Sequence, residues 1–315
     1  HHPQPMKQRA ERNRTLTLSP DEEAQLLSQL CRLETSANVP NVTDRIFCQD
    51  LMEAIPLMPE HFADLLVIDP PYNLQRQFGE MKTARRSDDD YLDYVMQWLP
   101  DVVRWMKADG SIYICCDWGS SSVIYEAMKR CGITIRNRIT WQREKGRGAK
   151  DNWKNGMEDI WYGVANPKKF YFNVDAVKQK RRVIAPYRTS DGAPKDWEDS
   201  ADGKFRLTCP SNFWDDLSVP YWSMPENTDH PTQKPEKLLA KLILASCPEG
   251  GLVADPFLGS GTTAVTACKL GRHYTGIELN PEYACWAEKR IALAKTDNRI
   301  QGFANGVFWE RNSGK

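Results

Sequence analysis

Residues 253–263, VADPFLGSGTT, decide the fold class of this 315-residue chain. A short apolar run ends in an acid, and a turn of small residues then leads into a helical pattern. This order is typical of a buried parallel strand whose carboxyl end faces a ligand. Glycines let a ligand approach the backbone, and the first amides of the helix offer donors to an anion. The alternative for Gly-x-Gly alone is an ordinary tight turn.

The next strand outward, residues 274–278, is YTGIE and ends in Glu278. An acid at the end of the second strand of such a unit binds ribose hydroxyls in dinucleotide folds. The two strand ends together indicate a ligand that contains adenosine. The turn lacks the full Gly-x-Gly-x-x-Gly pattern, which argues against a nicotinamide oxidoreductase.

Strands and helices alternate on both sides of this unit, which predicts a doubly wound α/β domain with a mostly parallel sheet. Residues 146–228 show no sustained strand or helix periodicity, so we expect an irregular insertion there. The predicted units are an N-terminal appendage (1–38), a first half-domain (39–145), the insertion (146–228) and a second half-domain (229–315). The predicted strands cover 64–69, 111–116, 133–141, 251–255 and 273–278, and the predicted helices 91–106, 120–129, 237–245, 262–270 and 281–294.

A second motif, Asp69-Pro70-Pro71-Tyr72, follows the apolar strand at 64–69. The Asp69 carboxylate and the Pro70 carbonyl are acceptors that a stiff Pro-Pro exit directs toward one small space. Tyr72 adds an aromatic face beside them. Acceptors next to an aromatic ring suit a planar amine, whose hydrogens they hold while the ring stacks. The alternative is a Pro-Pro turn that ends a strand beside a surface tyrosine.

Taken together, the two motifs resemble those of the S-adenosylmethionine-dependent DNA amino-methyltransferases, which modify adenine N6 or cytosine N4. The catalytic motif comes before the cofactor motif, an order that resembles the β group of the family, where many restriction-modification enzymes belong. The resemblance covers about residues 42–295 and includes the segment HPTQKP at 230–235. It implies a Rossmann-like methyltransferase fold, and the insertion corresponds to a target-recognition region.

The resemblance also implies the cofactor contacts. The turn would frame the methionine moiety, Glu278 would hold the ribose hydroxyls, and Thr232 and Lys234 would reach the cofactor carboxylate. For Asp50 the alternative is a solvated acid in a turn, and for His230 it is a capping residue. The predicted cofactor-binding residues are Asp50, His230, Thr232, Lys234, Asp255, Phe257, Gly259, Ser260, Gly261, Thr262 and Glu278.

The predicted catalytic residues are Asp69, Pro70 and Tyr72. The two acceptors would hold the hydrogens of the exocyclic amine, favour a pyramidal nitrogen and free its lone pair for in-line attack on the sulfonium methyl. The base must leave the duplex to reach them, and Tyr72 would stack on it. Trp141 is a second stacking candidate, unless it is a core tryptophan. No metal is required.

Several alternatives remain open from the sequence. Asp rather than Ser before Pro-Pro-Tyr favours adenine N6 over cytosine N4, which is the runner-up. A cytosine-C5 enzyme is disfavoured because the Pro-Cys dipeptide of that family is absent. RNA is a second possible substrate. From another class, the chain could be a catalytically silent nucleic-acid-binding protein, although such a protein has no need of Asp69–Tyr72.

The chain has 42 Lys+Arg and 42 Asp+Glu, so contacts with DNA require local basic patches. Two basic runs lie in or beside the insertion, at 143–154 and 178–188, with a solvated loop as the alternative for each. The loop 73–87 is a candidate flap over the flipped base. The predicted phosphate contacts are Arg143, Lys145, Arg147, Lys180, Arg181 and Arg182.

No stretch approaches 18 apolar residues, so a membrane span is excluded. Nine scattered cysteines without a Cys-x-x-Cys pair favour reduced thiols in a cytosolic compartment over a zinc site or disulfides. The resemblance implies double-stranded DNA as the partner and a cytoplasmic enzyme of bacterial, archaeal or phage origin. It leaves open a homodimer and a cognate restriction endonuclease acting on the same site.

Overall fold

The computed structural model describes residues 10–72, 76–78, 81–83, 86–143, 147–184, 187–200, 203–220 and 223–310. The strands are β1 (Arg45–Cys48), β2 (Ala63–Ile68), β3 (Arg76–Phe78), β4 (Met81–Thr83), β5 (Met106–Cys116), β6 (Thr134–Gln142), β7 (Met157–Val164), β8 (Gln179–Arg182), β9 (Glu198–Ser200), β10 (Gly203–Thr208), β11 (Phe213–Trp214), β12 (Leu252–Asp255), β13 (His273–Glu278), β14 (Phe303–Ala304) and β15 (Val307–Trp309). The α-helices are α1 (Pro20–Gln29), α2 (Val39–Val42), α3 (Leu51–Ala54), α4 (Asp88–Val103), α5 (Ser121–Arg130), α6 (Glu236–Ser246), α7 (Thr262–Lys269) and α8 (Pro281–Ala294).

Eight strands form the main sheet in the order β1-β13-β12-β2-β5-β7-β6-β11. Five of the seven neighbouring pairs are parallel, and β7 is antiparallel to both of its neighbours. The central strands are buried on both faces, as their continuous apolar sequences require. The predicted doubly wound, mostly parallel α/β sheet is therefore confirmed.

Helices cover both faces of this sheet. One core layer packs α4 and α5 against it through residues such as Trp98 and Ile124, and the other packs α6, α7 and α8 through residues such as Leu242 and Ile291. Helix α8 begins where the sequence predicts, because Asn280 accepts hydrogen bonds from the amides of Glu282 and Tyr283 and Pro281 fills the first turn.

The direction of winding reverses between β2 and β12, which are parallel neighbours. From β2 the sheet continues through β5, and from β12 it continues through β13 to β1. Asp69 and Asp255 stand at the carboxyl ends of these two strands, and Glu278 ends the strand beside them. Such a switch point is where open α/β sheets bind ligands.

The predicted insertion, 146–228, was drawn too wide. Within it, β7 is a central member of the main sheet, and β11 pairs with β6 at the sheet edge. A second, five-stranded sheet has the order β14-β15-β8-β10-β9 and joins part of the insertion to the C-terminal residues 303–309. The predicted insertion and the second half-domain therefore share this sheet, because β15 pairs with β8.

The N-terminal appendage packs along α8 and reaches into the core. Lys289 of α8 donates to the carbonyl of Thr17 and forms an ion pair with Glu22, and the amide of Leu16 donates to the carbonyl of Asn227. Leu33 is part of the core. Among the described residues, no helix combines the length and the apolar character that a membrane crossing needs.

Candidate active site

A cavity of about 460 Å³ opens at the carboxyl ends of β2, β12 and β13. Ligand pockets in proteins are usually about 300–1,000 Å³, so this one has room for a nucleoside-sized molecule. Its wall comes from both half-domains, and the predicted site residues along it are Asp50, Asp69, Pro70, Tyr72, His230, Thr232, Lys234, Asp255, Phe257, Gly259, Ser260, Thr262 and Glu278. The two motifs thus meet in one cavity although Asp69 and Asp255 are 186 positions apart in the sequence (255 − 69).

The small-residue turn owes its shape to two glycines. Gly259 has φ +61° and Gly261 has φ +95°, a region that residues with a Cβ rarely adopt. A Cβ on Gly261 would lie 2.5 Å from the Cβ of Ala287, and one on Gly259 would lie 3.1 Å from Nε2 of His230. Gly261 therefore lets α7 pack against α8, and Gly259 keeps the cavity wall open beside His230.

Asp255 is a buried carboxyl at the base of the cavity. Its Oδ1 accepts the Phe257 amide at 2.9 Å, and its Oδ2 accepts the Thr263 hydroxyl at 2.6 Å. Burial raises its pKa to about 7, and the nearby Asp69 and Glu278 act in the same direction. No lysine or arginine of the described ranges forms an ion pair with Asp255, so a cationic group of a ligand would find an uncompensated acid there.

Glu278 and Asp50 supply further acceptors on the cavity wall. Glu278 accepts the Gly259 amide at 2.8 Å and the Asn280 amide at 2.7 Å, which fixes its carboxylate, and burial raises its pKa. Asp50 accepts the Met52 amide at 2.7 Å and so begins α3. Backbone amides thus hold both acids in place on the part of the cavity wall where the sequence predicts the adenosine of the cofactor.

Sequence reasoning missed the side chains that hold the turn from behind. Gln233 is buried; its Oε1 accepts the Ser260 hydroxyl at 3.1 Å and its Nε2 donates to the carbonyl of Glu226. Arg290 of α8 donates to the carbonyl of Ser260 at 3.0 Å and to the Thr262 hydroxyl at 3.1 Å. Arg290 belongs to no recognisable pattern, and although Gln233 lies within HPTQKP, its role depends on Ser260, 27 residues away.

The catalytic motif is placed as the sequence predicts, at the end of β2. Asp69, Pro70 and Tyr72 line the cavity, and the Tyr91 hydroxyl donates to the carbonyl of Pro71 at 2.7 Å. This bond fastens the Pro-Pro exit to α4. The motif therefore lines the same cavity as Asp255 of the small-residue turn and Glu278 of β13.

Lys234 lies in the catalytic half of the cavity. Its Nζ is 3.1 Å from Oδ2 of Asp69 and 3.4 Å from Oε2 of Glu158, and it donates to the Tyr72 hydroxyl at 3.1 Å. Burial alone would lower the pKa of this ammonium, but Asp69 and Glu158 outweigh burial and raise it. The predicted contact with a cofactor carboxylate would require Lys234 to leave these partners.

Glu158 and Arg143 complete this cluster. Glu158 forms a buried ion pair with Arg143 and accepts a hydrogen bond from Tyr72 at 3.3 Å. The prediction that Arg143 contacts DNA phosphate is therefore wrong for this conformation, because its guanidinium is buried behind the active site. Glu158 is one of two adjacent acids in β7, and nothing in the sequence distinguishes it from Asp159.

Trp141 is likewise a core residue and not a stacking partner at the cavity. It is fully buried among apolar side chains of the second core layer, between β7 and β11. It also does not line the cavity. The core alternative for this tryptophan is the one that the structure supports.

The remaining basic residues divide by position. Arg147 is exposed, Lys145 lies outside the described residues, and so do the side chains at 73–85 of the candidate flap. Lys180, Arg181 and Arg182 lie on β8 of the second sheet, where Arg182 is exposed and Lys180 lies 4.6 Å from the ring centre of Trp309. Residues 179–182 of the second basic run thus form a strand.

These features fit S-adenosylmethionine. The uncompensated acid Asp255 suits a ligand ammonium, the fixed carboxylate of Glu278 suits hydroxyl donors, and the Gly259 position leaves space that a Cβ would fill. Phe257 and Ile277 add apolar wall for a nucleoside ring. These acceptors and apolar side chains together would hold an adenosine linked to an amino acid.

Comparison with known proteins gives a family. Residues 63–289 match the DNA methylase family, N6_N4_Mtase. Type II methyltransferase M.HpaI of Haemophilus parainfluenzae is 32% identical over 265 residues, covering 82% of this chain and 76% of that protein. DNA adenine methyltransferase YhdJ of Escherichia coli strain K12 is 32% identical over 260 residues, covering 81% of this chain and 84% of that protein.

Among solved structures, the M1.HpyAVI–SAM complex shares the fold with a TM-score of 0.53 and 22% identity, covering 78% of this chain and 98% of that chain. The predicted Rossmann-like architecture is thus confirmed. The family match spans well over half of the chain, and it includes both motifs of the cavity. This protein therefore belongs to the DNA methylase family and is an S-adenosylmethionine-dependent DNA methyltransferase, as its two motifs predict.

Proposed function

We propose that this protein methylates the N6 amine of an adenine that is flipped out of double-stranded DNA, within a specific sequence. The observation that carries the proposal is the meeting of Asp69 and Pro70 with Asp255 of the small-residue turn in one cavity. Amine acceptors and a cofactor site in one enclosed space are what direct transfer of a methyl group requires.

Bound S-adenosylmethionine supplies an electrophilic methyl group on a sulfonium. The chain holds the other reactant: the Asp69 carboxylate and the Pro70 carbonyl accept the two amine hydrogens and so localise the nitrogen lone pair. Asp69 also takes up the proton that the nitrogen loses. Tyr72 stays a phenol throughout, because burial raises its pKa well above the ordinary value, and it offers its ring to the base.

Adenine is favoured over cytosine on two grounds. Asp precedes Pro-Pro-Tyr at position 69, and one relative is named a DNA adenine methyltransferase. The exocyclic amine of cytosine would meet the same acceptors in the same way. An N4-cytosine product would therefore change the base and leave every residue role unchanged.

The second sheet is our candidate for the DNA grip. Arg181 and Arg206 are register partners on β8 and β10, and Arg182 and Arg206 are both exposed. Two neighbouring strands thus present guanidinium groups that can neutralise phosphates. Lys180, Arg181 and Arg182 stay the predicted DNA contacts, with Arg181 beside Arg206 on one face of the strand and Lys180 and Arg182 on the other, whereas Arg143 no longer belongs to them.

The family of relatives also bears on where the protein acts. Both relatives named above are bacterial DNA methyltransferases, and one is of type II. We therefore propose that this chain acts in a bacterial cytoplasm, within a restriction-modification system. The homodimer and the cognate restriction endonuclease stay predictions.

Replacing Asp69 by alanine tests the proposed chemistry. Loss of a preorganised electrostatic contact typically costs about 10²–10³-fold in turnover, so D69A should reduce single-turnover methylation of DNA at least that far. Calorimetry should meanwhile show S-adenosylmethionine binding within about threefold of the wild type, about 0.7 kcal/mol. Turnover at the wild-type rate would rule out Asp69 as the amine acceptor.

A further inference from the structure

Glu158 lies behind the catalytic motif and contacts it twice. One carboxylate oxygen accepts the Tyr72 hydroxyl at 3.3 Å and lies 3.4 Å from Nζ of Lys234, and the other pairs with Arg143. Lys234 in turn lies 3.1 Å from Asp69. Two carboxylates and two cations thus alternate in a line that ends at the amine acceptor.

We propose that Glu158, held in place by Arg143, is a positioning residue for methyl transfer that shares the Lys234 ammonium with Asp69 and fixes the Tyr72 hydroxyl. This inference rests on the proposed function, since it assigns a role within that same site. Neither Glu158 nor Arg143 belongs to the two motifs that define the site.

The strands explain how the pair is held. Glu158 on β7 stands opposite Trp141 on β6, and the amide of Arg143 donates to the carbonyl of Gly156 at 2.8 Å. Side chains opposite each other across two strands lie on the same face, so Glu158 and Arg143 meet over the Trp141 indole. Arg143 and Glu158 are only 8% and 11% exposed at their side chains, which sets this pair apart from a solvated surface bridge.

Sharing the ammonium matters because Lys234 and a target amine compete for the same carboxylate. If Asp69 were the only acid beside Lys234, the ammonium would bind it more tightly, and the weaker N–H donors of a base would compete with a charge for its oxygens. Glu158 provides a second partner for Lys234. Asp69 therefore keeps acceptor capacity for the amine while its charge stays balanced.

The Tyr72 ring is fixed by the same acid. Its hydroxyl lies between Glu158 and the Lys234 ammonium, and that ammonium lies 5.1 Å from the ring centre. A hydroxyl held by two charged groups keeps the ring in one orientation. Glu158 thereby sets the plane on which the proposed base would stack.

The variant E158Q tests this role, with D159N as its matched control. Gln keeps the size and one acceptor oxygen but removes the charge. Asp159 is the next residue on the same strand, equally buried, and it accepts the Thr140 hydroxyl at 2.7 Å on the other face of the sheet. Both variants lose one buried carboxylate from β7, so a merely structural effect would be similar in the two.

The first measurement needs no turnover. Pulse acetylation at pH 8–9 followed by peptide mass spectrometry gives the reactivity of Lys234, with the buried Lys237 and Lys241 as internal gauges of the fold. Loss of one of its two carboxylates makes the Lys234 ammonium easier to deprotonate. E158Q should therefore raise the acetylation rate of Lys234 at least about threefold, which corresponds to a pKa lower by about half a unit. The acetylation rates of Lys237 and Lys241 should not change in E158Q, and D159N should leave the rate of Lys234 unchanged.

The second measurement is single-turnover methylation. A hydrogen bond to a charged group is worth about 10- to 100-fold, so E158Q should slow transfer by that factor while S-adenosylmethionine affinity stays at the wild-type value and D159N turns over normally. Y72F should slow transfer too, and the double variant E158Q/Y72F should lose less than the product of the two single losses.

The outcomes separate the two proposals. Unchanged Lys234 reactivity in E158Q, or equal turnover in E158Q and D159N, would overturn the positioning role. A wild-type protein that methylates no DNA would overturn the proposed function instead. In that case Lys234 acetylation in E158Q would still decide whether Glu158 holds the ammonium.

Discussion

Replacing Asp255 by asparagine removes a buried negative charge while nearly preserving shape. The amide oxygen can still accept the Phe257 amide, and the amide NH₂ can donate to the Thr263 hydroxyl, which rotates to accept. Wild-type Asp255 has a pKa of about 7 because it is buried, against an ordinary value of 3.8. Asparagine has no such titration, so the two proteins should differ in how stability depends on pH.

The sign follows from the raised pKa. A carboxyl whose pKa is higher in the folded state gives its full contribution below about pH 3.8, and that contribution is lost as pH rises through about 7. At 1.36 kcal/mol for each pH unit, the whole loss is on the order of 4 kcal/mol for the wild type. About 2 kcal/mol of it falls between pH 5.5 and 8.

Urea unfolding of the ligand-free proteins measures this difference. The free energy of unfolding of D255N minus that of the wild type should rise by about 2 kcal/mol between pH 5.5 and 8. Calorimetry should show weaker S-adenosylmethionine binding by D255N than by the wild type, because an amide offers no charge to the ligand ammonium. D255N therefore gains relative stability at high pH but loses affinity for the cofactor. A stability difference that is the same at both pH values would refute the assignment of a buried, uncompensated Asp255.

Two further predictions concern the cofactor turn and the DNA grip. G259A should weaken S-adenosylmethionine binding by about tenfold, about 1.4 kcal/mol, because the left-handed backbone is strained by a Cβ that also lies 3.1 Å from His230. Its control is G271A, with a similar φ of +72° but no atom within 4 Å of the Cβ, and equal effects of the two would contradict this reason. Neutralising Lys180, Arg181 and Arg182 of β8 should weaken DNA binding. It should also reduce the slope of log affinity against log salt by about 0.9 for each lost phosphate contact. An unchanged slope would mean that the DNA binds elsewhere on the protein.

The parts of the fold that were predictable have local causes. Helix α8 and strand β13 have the predicted bounds, because the Asn280-Pro281 start and the apolar run before Glu278 act within a few residues. The carboxyl ends of parallel strands share one edge of the sheet, so the meeting of Asp69 with Asp255 also followed from sequence order. The cofactor turn and the catalytic motif were thus within reach of the sequence.

What was missed depends on distant partners. Strand β7 follows a loop rich in charge and glycine, and only its pairing with β5 and β6 makes it central. Arg143 looked like part of a basic run, and its burial depends on Glu158, an acid 15 residues further along the chain. The resemblance implies a cofactor contact for Lys234, and the sequence gives no sign that Glu158 and Asp69 lie on either side of its ammonium.

The measurement closest to the central claim is mass spectrometry of nucleosides from unmethylated double-stranded DNA treated with this protein and S-adenosylmethionine whose methyl group carries deuterium. The DNA should be a library that contains all short sequences, so that the recognition site is present. The account predicts N6-methyladenine that carries the labelled methyl group, and none with D69A. Labelled N4-methylcytosine would contradict the choice of base, and unlabelled DNA after treatment with folded wild-type protein would contradict the proposed reaction.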